Sequence, residues 1–308
     1  MSDRPSPLIV TQRDRVVVHG MTGRQGTFWT ERMRAYGTNV VAGVSPAKGG
    51  SRHLGLPVFT SAVEAASAEE AGGIDVSVLF VPPAGARSAV ADAARAGARL
   101  VVVLTEFIPV ADTMAMVAEA RAAGTTVIGP NTAGIVNPGE TFVGFMPAFD
   151  PRIFTPGSIG VISRSGSLGT LAAVELTRAG YGQSAFLGIG GDPVSGTSTA
   201  EAVKALQDDD RTEAVVVIGE IGGRKEEEAA AVVAAGNKPV VAFVAGAASP
   251  PGKRMGHAGA IVEGSTGTHE SKHRALTEAG AIVVETPWQI PDALAALDVA
   301  RSHPTPTP

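Results

Sequence analysis

Two hydrophobic rhythms alternate along the chain. Short aliphatic, β-branched runs recur at 15–20 (RVVVHG), 39–44 (NVVAGV), 76–82 (VSVLFVP), 100–106 (LVVVLTE) and 125–130 (TTVIGP). Helical stretches at 26–37, 86–97 and 111–123, the last two Ala-rich, separate them. Runs this apolar suit strands buried on both faces, as in a parallel sheet covered by helices. The pattern predicts one doubly wound domain over roughly 8–145. A Pro-rich stretch, MPAFDPRIFTPGS (146–158), breaks the rhythm and marks the expected boundary. The alternation then restarts with a strand and turn over 158–166. Helix 167–179, strand 184–191, helix 199–207, strand 213–223, helix 225–235, strand 238–246 and a last strand near 281–285 follow. The expected class is α/β, with domains over 1–148 and 149–300. The tail over 301–308, with its SHPTPTP ending, is expected to be disordered.

Composition narrows the choice of chemistry. A length of 308 residues fits two domains. A net charge of -5 argues against nucleic acid, which wants a basic face. The absence of cysteine excludes disulfides and thiolate metal sites, and no metal site is expected in the chain. The start, MSDRPSPLIV, has no apolar signal core and reads as cytoplasmic. The apolar runs are far short of a membrane span, so no membrane partner is expected.

Four stretches carry candidate chemistry. HGMTGRQGT (19–27) joins a strand to a helix with glycines at 20, 23 and 26. The spacing is G-x-x-G-x-x-G, not the usual dinucleotide fingerprint, but bare N–H groups at a helix N-terminus suit a phosphate or pyrophosphate. An NAD site also wants a carboxylate about 20 residues on. Here AGVSPAKGG (42–50) offers Lys48 instead, which prefers additional phosphate. SRSGSLGT (163–170) also follows a strand and opens a helix, so Ser165, Gly166 and Ser167 can grip a phosphate or simply cap the helix. GEIGG (219–223) sets Glu220 at the C-terminal end of a strand, where a carboxylate can orient an imidazole. KRMGHAGAI (253–261) sets His257, one of six histidines, among small residues that leave the ring reachable.

Together these stretches, with YGTNVVAGVSPAKGG, HLGLPVF, GPN and GIGGDPVSG, resemble the α subunit of succinyl-CoA synthetase (succinate–CoA ligase) over about 8–298. The resemblance implies a Rossmann-like CoA-binding domain followed by a flavodoxin-like ligase domain. It implies that Thr22, Gly23, Arg24 and Gln25 form the CoA-phosphate loop and that Lys48 lies at the CoA nucleotide. Leu104, Thr105 and Glu106 match the stretch along the CoA. His257 matches the phosphohistidine, Glu220 the acid that orients it, and Ser165 and Ser167 the start of a helix facing the phosphate. It further implies a separate β subunit with an ATP-grasp domain, in an αβ or α2β2 assembly, which binds ATP or GTP with Mg²⁺. Two positions depart from the family. GPNTAG (129–134) carries Thr132, after Asn131, where the family has cysteine, and Thr170 stands where the family has a substrate-side tyrosine. Both imply an enlarged, more polar acyl pocket and an acid other than succinate, malate and citrate being alternatives. A non-catalytic CoA-binding paralogue is the competing class, which the retention of His257, Glu220 and the serine pair argues against.

Overall fold

A computed structural model describes residues 6–249, 256–262 and 266–303. The basic pair Lys253–Arg254 lies outside the described residues. The first half runs β1 (Val16–His19), α1 (Arg24–Tyr36), β2 (Val40–Val44), β3 (Arg52–His53), β4 (Leu56–Phe59), α2 (Ala62–Ser67), β5 (Val76–Leu79), α3 (Pro83–Arg95), β6 (Leu100–Val103), α4 (Val110–Ala122) and β7 (Thr126–Ile128). The sheet order is β3-β4-β2-β1-β5-β6-β7, parallel except for the antiparallel edge strand β3. The strand order reverses between β2, β1 and β5, and such a crevice is where open α/β sheets bind ligands.

The second half continues with β8 (Gly134–Asn137), β9 (Thr141–Gly144), β10 (Pro156–Ser163), α5 (Gly166–Arg178), β11 (Gln183–Gly188), α6 (Thr199–Gln207), β12 (Ala214–Glu220), α7 (Lys225–Ala235), β13 (Val240–Ala245), α8 (His269–Glu278), β14 (Ile282–Val284), a 3-10 turn (Pro287–Gln289) and α9 (Ile290–Ala296). Its sheet reads β14-β13-β12-β10-β11-β8-β9. The five strands β10 to β14 are parallel and form a second doubly wound sheet.

Most expected elements are present, two of them (199–207 and 225–235) with the expected limits. The reason is burial: β5, β6, β11 and β12 have no residue facing solvent, and their sequences are the largely apolar runs of two-sided strands, with Ser77, Gln183 and Ser184 as buried polar exceptions. The expected change of domain near 146–158 comes after the switch of sheets, because β8 and β9 already belong to the second sheet. This hairpin pairs antiparallel with β11, Val136 opposite Phe186. It is also tied to the first half, where Thr38 Oγ1 donates to the Phe142 carbonyl (2.7 Å) and Thr141 Oγ1 to the Val10 carbonyl (2.7 Å). One apolar core accordingly runs from one face of the first sheet, through Ile135, Phe142 and Val143, into the second sheet. A second core fills the other face of the first sheet beneath α2, α3 and α4.

The tail also departs in part from the expectation. His303 Nε2 lies 2.6 Å from the Pro156 carbonyl, and its backbone N–H donates to the Gly180 carbonyl (3.0 Å), so residues 301–303 are docked. Residues 304–308 lie outside the described residues. Among the described residues no helix is long and apolar enough to cross a membrane.

Candidate functional site

The glycine-rich connection after β1 is shaped by close approach. Gly20 has φ +75°, and a Cβ there would meet the Phe80 carbonyl oxygen at 2.2 Å. A Cβ on Gly26 would lie 2.2 Å from the Gly20 carbonyl, so only glycine lets α1 start so near the strand. Gly23 is the N-cap and makes no side-chain cap, leaving the first N–H groups of α1 without an intrahelical partner. Gly23, Arg24 and Gln25 are exposed there and Thr22 is half-buried. Lys48 is exposed beyond the end of β2. The exposed helix start suits a phosphate, with Arg24 exposed on it.

Leu104, Thr105 and Glu106 follow β6. Leu104 is buried in the core, so its side chain faces the protein, and Glu106 is exposed. The Thr105 hydroxyl donates to the Val81 carbonyl (2.8 Å), and its carbonyl accepts from the Asn131 N–H (3.0 Å). Asn131 Nδ2 then donates to Asp192 Oδ1 (2.9 Å). These contacts lead from the edge of the first sheet directly to the second site.

That second site is assembled at the C-terminal end of β12. His257 Nδ1 lies 2.9 Å from Glu220 Oε2. No hydrogen bond reaches its Nε2 among the described residues, and 27% of the side chain is exposed. A Cβ on Gly191 would sit 2.4 Å from the imidazole Cγ, so that residue must lack one for the ring to pack there. Glu220 raises the His257 pKa above its ordinary value through the hydrogen bond, and burial opposes the rise.

Three buried charges that the sequence does not single out hold Glu220 in place. Arg164 Nη1 donates to the carbonyls of Glu220 (3.0 Å) and Gly222 (3.1 Å), and its Nε lies 3.3 Å from Glu220 Oε1. Lys272 Nζ donates to the same two carbonyls (3.0 and 2.9 Å) and to Glu226 Oε2. Glu226 and Lys272 have no exposed side-chain surface. Burial pushes the Glu226 carboxyl up, but Arg164 and Lys272 overcome it and hold the pKa below the ordinary value. Two cations thus clamp the turn after β12 and aim its carboxylate at His257. Lys225 Nζ donates to the Asp192 carbonyl (2.8 Å), while Gly259 N–H donates to the Gly191 carbonyl (3.2 Å), pinning the 191–192 segment beside the imidazole. Burial, with help from Arg164, lowers the Lys225 pKa to about 8.

Ser165 caps α5, accepting from the Leu168 N–H (3.4 Å), and its Oγ lies 3.2 Å from Ser167 Oγ. Ser165 therefore acts as the helix cap. Gly166 begins the helix. α5 leaves the end of β10, which pairs with β12, so its N-terminus starts about 5 Å, one strand spacing, from the end bearing Glu220. The Thr132 side chain is buried and committed: its hydroxyl donates to the Gly188 carbonyl and accepts from the Gly134 N–H (3.0 Å). Thr170 Oγ1 donates back to the Gly166 carbonyl (2.8 Å), one turn below the serine cap.

Two family models match the chain, one in each half. The CoA binding domain family matches residues 11–107, and the CoA-ligase family matches 162–282. The ADP-forming succinate–CoA ligase α subunit 2 of Archaeoglobus fulgidus is 50% identical over 94% of this chain and 99% of its own length. The corresponding α subunit of Methanothermobacter thermautotrophicus is 49% identical over 95% of this chain and 98% of its own. That of Aquifex aeolicus is 45% identical over 94% of each. An ATP citrate lyase structure from Methanosaeta concilii, bound to citryl-CoA, shares the fold with a TM-score of 0.84 at 23% identity, covering 98% of this chain and 53% of that one. A dinucleotide-forming acetyl-coenzyme A synthetase from Ca. Korarchaeum cryptofilum shares it with a TM-score of 0.69 at 20% identity, covering 89% and 58%. The chain belongs to the family of succinate–CoA ligase α subunits, acid–thiol ligases with a CoA-binding domain ahead of a ligase domain.

Proposed function

We propose that the chain carries a phosphoryl group on His257 between a nucleotide and a carboxylate, and that the activated carboxylate passes to coenzyme A. The observation that carries this reading is the 2.9 Å pair of His257 Nδ1 and Glu220. With Nδ1–H given to the carboxylate, the lone pair is left on Nε2, the exposed nitrogen. Nε2 attacks the terminal phosphorus of ATP or GTP, and the nucleoside diphosphate leaves with the bridging oxygen. A carboxylate oxygen of the acid then attacks the same phosphorus, the N–P bond breaks, and an acyl phosphate forms. The CoA thiol adds to its carbonyl, phosphate departs, and acyl-CoA results. The first-turn N–H groups of α5, with Ser165, Gly166 and Ser167, suit the phosphoryl oxygens throughout.

CoA fits the first site through Thr22 to Gln25, with Lys48 at its nucleotide end and the 104–106 stretch along its length. Nucleotide and Mg²⁺ belong on an ATP-grasp β subunit, joined as αβ or α2β2. Three relatives at 45–50% identity, named for succinate, favour a small dicarboxylate. Thr170, short and engaged with the Gly166 carbonyl, favours the second reading, a larger or hydroxylated acid such as malate or citrate. The test is a ligase assay on the chain with its co-purified partner across succinate, malate, citrate and sulfonated acids. CoA- and nucleotide-dependent thioester formation is expected. Robust turnover by the single chain, with partner excluded, refutes the division of labour.

A further inference from the structure

The segment between β11 and α6 is stitched to the segment after β7 at several points. A Cβ on Gly190, φ +92°, would meet the Pro130 carbonyl oxygen at 2.1 Å, so the two backbones touch. The Gly191 N–H donates to the Asn131 carbonyl (3.2 Å) and the Gly196 N–H to the Gly129 carbonyl (2.9 Å). Thr197 Oγ1 donates to the Val127 carbonyl (2.6 Å). This seam also carries a bond between two side chains, from Asn131 Nδ2 to Asp192 Oδ1 (2.9 Å).

Both side chains sit where their chemistry is costly. Asp192 is only 8% exposed, and a carboxylate taken out of water needs hydrogen bonds to offset its lost hydration. Asn131 has φ +54°, in the left-handed region that few residues other than glycine and asparagine enter readily. Backbone stitching alone requires neither, because the bonds from residues 191 and 196 use main-chain groups. The carboxylate therefore serves something beside it.

What lies beside it is the imidazole. The His257 ring rests against Gly191, and the Gly259 N–H returns to the Gly191 carbonyl (3.2 Å). Lys225 Nζ holds the Asp192 carbonyl (2.8 Å). The Asp192 charge also reaches the ring and adds to the rise in its pKa, behind the larger effect of Glu220. On the other side of the seam the Asn131 N–H is bound to the Thr105 carbonyl (3.0 Å), in the stretch assigned to CoA. Asn131 thus ties the Gly191 shelf to the CoA side, and Asp192 fixes where that shelf stands. On the ligase reading the nucleotide comes from the partner subunit. The seam therefore bears on the step in which His257 gives up its phosphoryl group, not on the step in which it receives it.

We propose that Asp192 is a positioning residue: bonded to Asn131, it fixes the Gly191 shelf on which phosphorylated His257 docks to pass its phosphoryl group to the carboxylate. The inference rests on the ligase reading above and deepens it by naming the residue that holds the two sites in register. The experiment uses the chain assembled with its co-purified partner, His257 first labelled with γ-phosphate-tagged ATP or GTP. The label is then discharged in single turnover by two routes. One is to ADP or GDP, which reverses the loading step. The other is to CoA with succinate, malate or citrate, whichever the wild type uses. On that route a carboxylate oxygen attacks phosphorus, the N–P bond breaks, and the label leaves as inorganic phosphate when the thiol displaces it. Asp192→Ala is expected to slow the second route about 10–100-fold, the range for a hydrogen bond to a charged group, and leave the first unchanged. Asn131→Gly, which suits the left-handed backbone, is expected to do the same, and the double variant no more than either single one. Where Asp192→Ala does not assemble, Asn131→Gly carries the comparison. Asp192→Asn keeps the acceptor and is expected to recover most of the rate. Equal slowing of both routes overturns the inference, because the pair then only supports the fold. Wild-type discharge in Asp192→Ala, or additive losses in the double variant, also overturns it while leaving the ligase reading intact. A wild-type enzyme that takes no label on His257, or whose label no acid with CoA removes, overturns the ligase reading and this inference with it.

Discussion

Two histidines sit at the ligand edges of the two parallel sheets, and their environments push them in opposite directions. His19 ends β1 in an apolar wall, and burial lowers its pKa to about 4. His257 lies beside the end of β12, and the Glu220 hydrogen bond raises its pKa against the opposing effect of burial. His19 belongs to a strand and His257 to a loop, and the pKa shifts follow burial in the first and the carboxylate in the second. The buried imidazole without a carboxylate in hydrogen-bond contact stays neutral near pH 7. One with a carboxylate at 2.9 Å keeps its tautomer and supports the charge that develops on phosphoryl transfer.

The sharpest way to break this contrast is to remove one ring at a time. His257→Ala is expected to abolish thioester formation and nucleotide-dependent labelling in the assembled enzyme while CoA affinity stays near wild type. Labelling with γ-phosphate-tagged nucleotide and peptide mapping reads this directly, with His53, His269 and His273 unlabelled. Phosphate on any of those three, or full activity in the variant, overturns the division between the sites.

Removing the partner instead of the ring comes next. Glu220→Gln is expected to slow phosphorylation of His257 by about 10²–10⁴-fold. It also lowers the His257 pKa, because the hydrogen-bonded carboxylate is what raises it. In wild type the rate falls as pH drops below that raised pKa, since Nε2 becomes protonated. In the variant this acid limb shifts to lower pH, which a pH profile of labelling detects.

The clamp behind Glu220 is a stability device as well as an aiming one. Lys272→Met leaves Glu226 buried beside a single cation, and losing one partner of a buried ion pair costs about 3–5 kcal/mol. Urea unfolding of the chain is expected to show that loss. A variant as stable as wild type removes the clamp from the account.

The opposite pKa shifts predict opposite slopes of stability with pH. For His19 the folded pKa lies below the unfolded value, so between about pH 4 and 6.5 the unfolded chain binds more protons and stability rises with pH, by about 3 kcal/mol over the window. For His257 the folded pKa is raised, so its contribution is fully present below the unfolded value and is lost as pH rises through the folded one. Denaturation of wild type against His19→Gln and His257→Gln at pH 5 and 8 separates the two. Slopes of the same sign in both comparisons contradict the contrast. The smallest effect is at the rim: Lys48→Ala is expected to weaken CoA by about 1–3 kcal/mol, as one charge-assisted contact is lost. Calorimetry checks it, and unchanged CoA affinity or tight NAD binding sinks the assignment of this loop.

Much of this was legible in the linear chain because it is local. The helix over 199–207 carries its own periodicity, and Ser198 with Glu201 closes a capping box within four residues. The glycines at 23 and 26 answer a local approach to Gly20, whereas Gly20 itself is required by Phe80, just after the neighbouring strand β5. What escaped was contact between distant segments. Glu226 reads as one of three acids in the first turn of α7, an ordinary solvated helix start, yet its side chain has no exposed surface. Nothing in its spacing from Arg164 or Lys272 announces the clamp. The Pro-rich break at 146–158 leaves residues 134–144 with the first domain, whereas edge pairing with β11 puts the β8–β9 hairpin in the second sheet.

The sequence by itself determined the α/β alternation, the two ligand edges and the residue types offered there, since strand and helix periods and glycine turns need only neighbours along the chain. The tertiary structure alone decided what each group does. Burial and charge partners are set by long-range contacts: Glu220 reaches His257 across 37 positions, Arg164 and Lys272 close on Glu226 across 62 and 46, and His19 Nε2 has no hydrogen-bond partner among the described residues. The electrostatic character of an imidazole depends on the few ångströms around it, and those are set only when the sheets and helices pack.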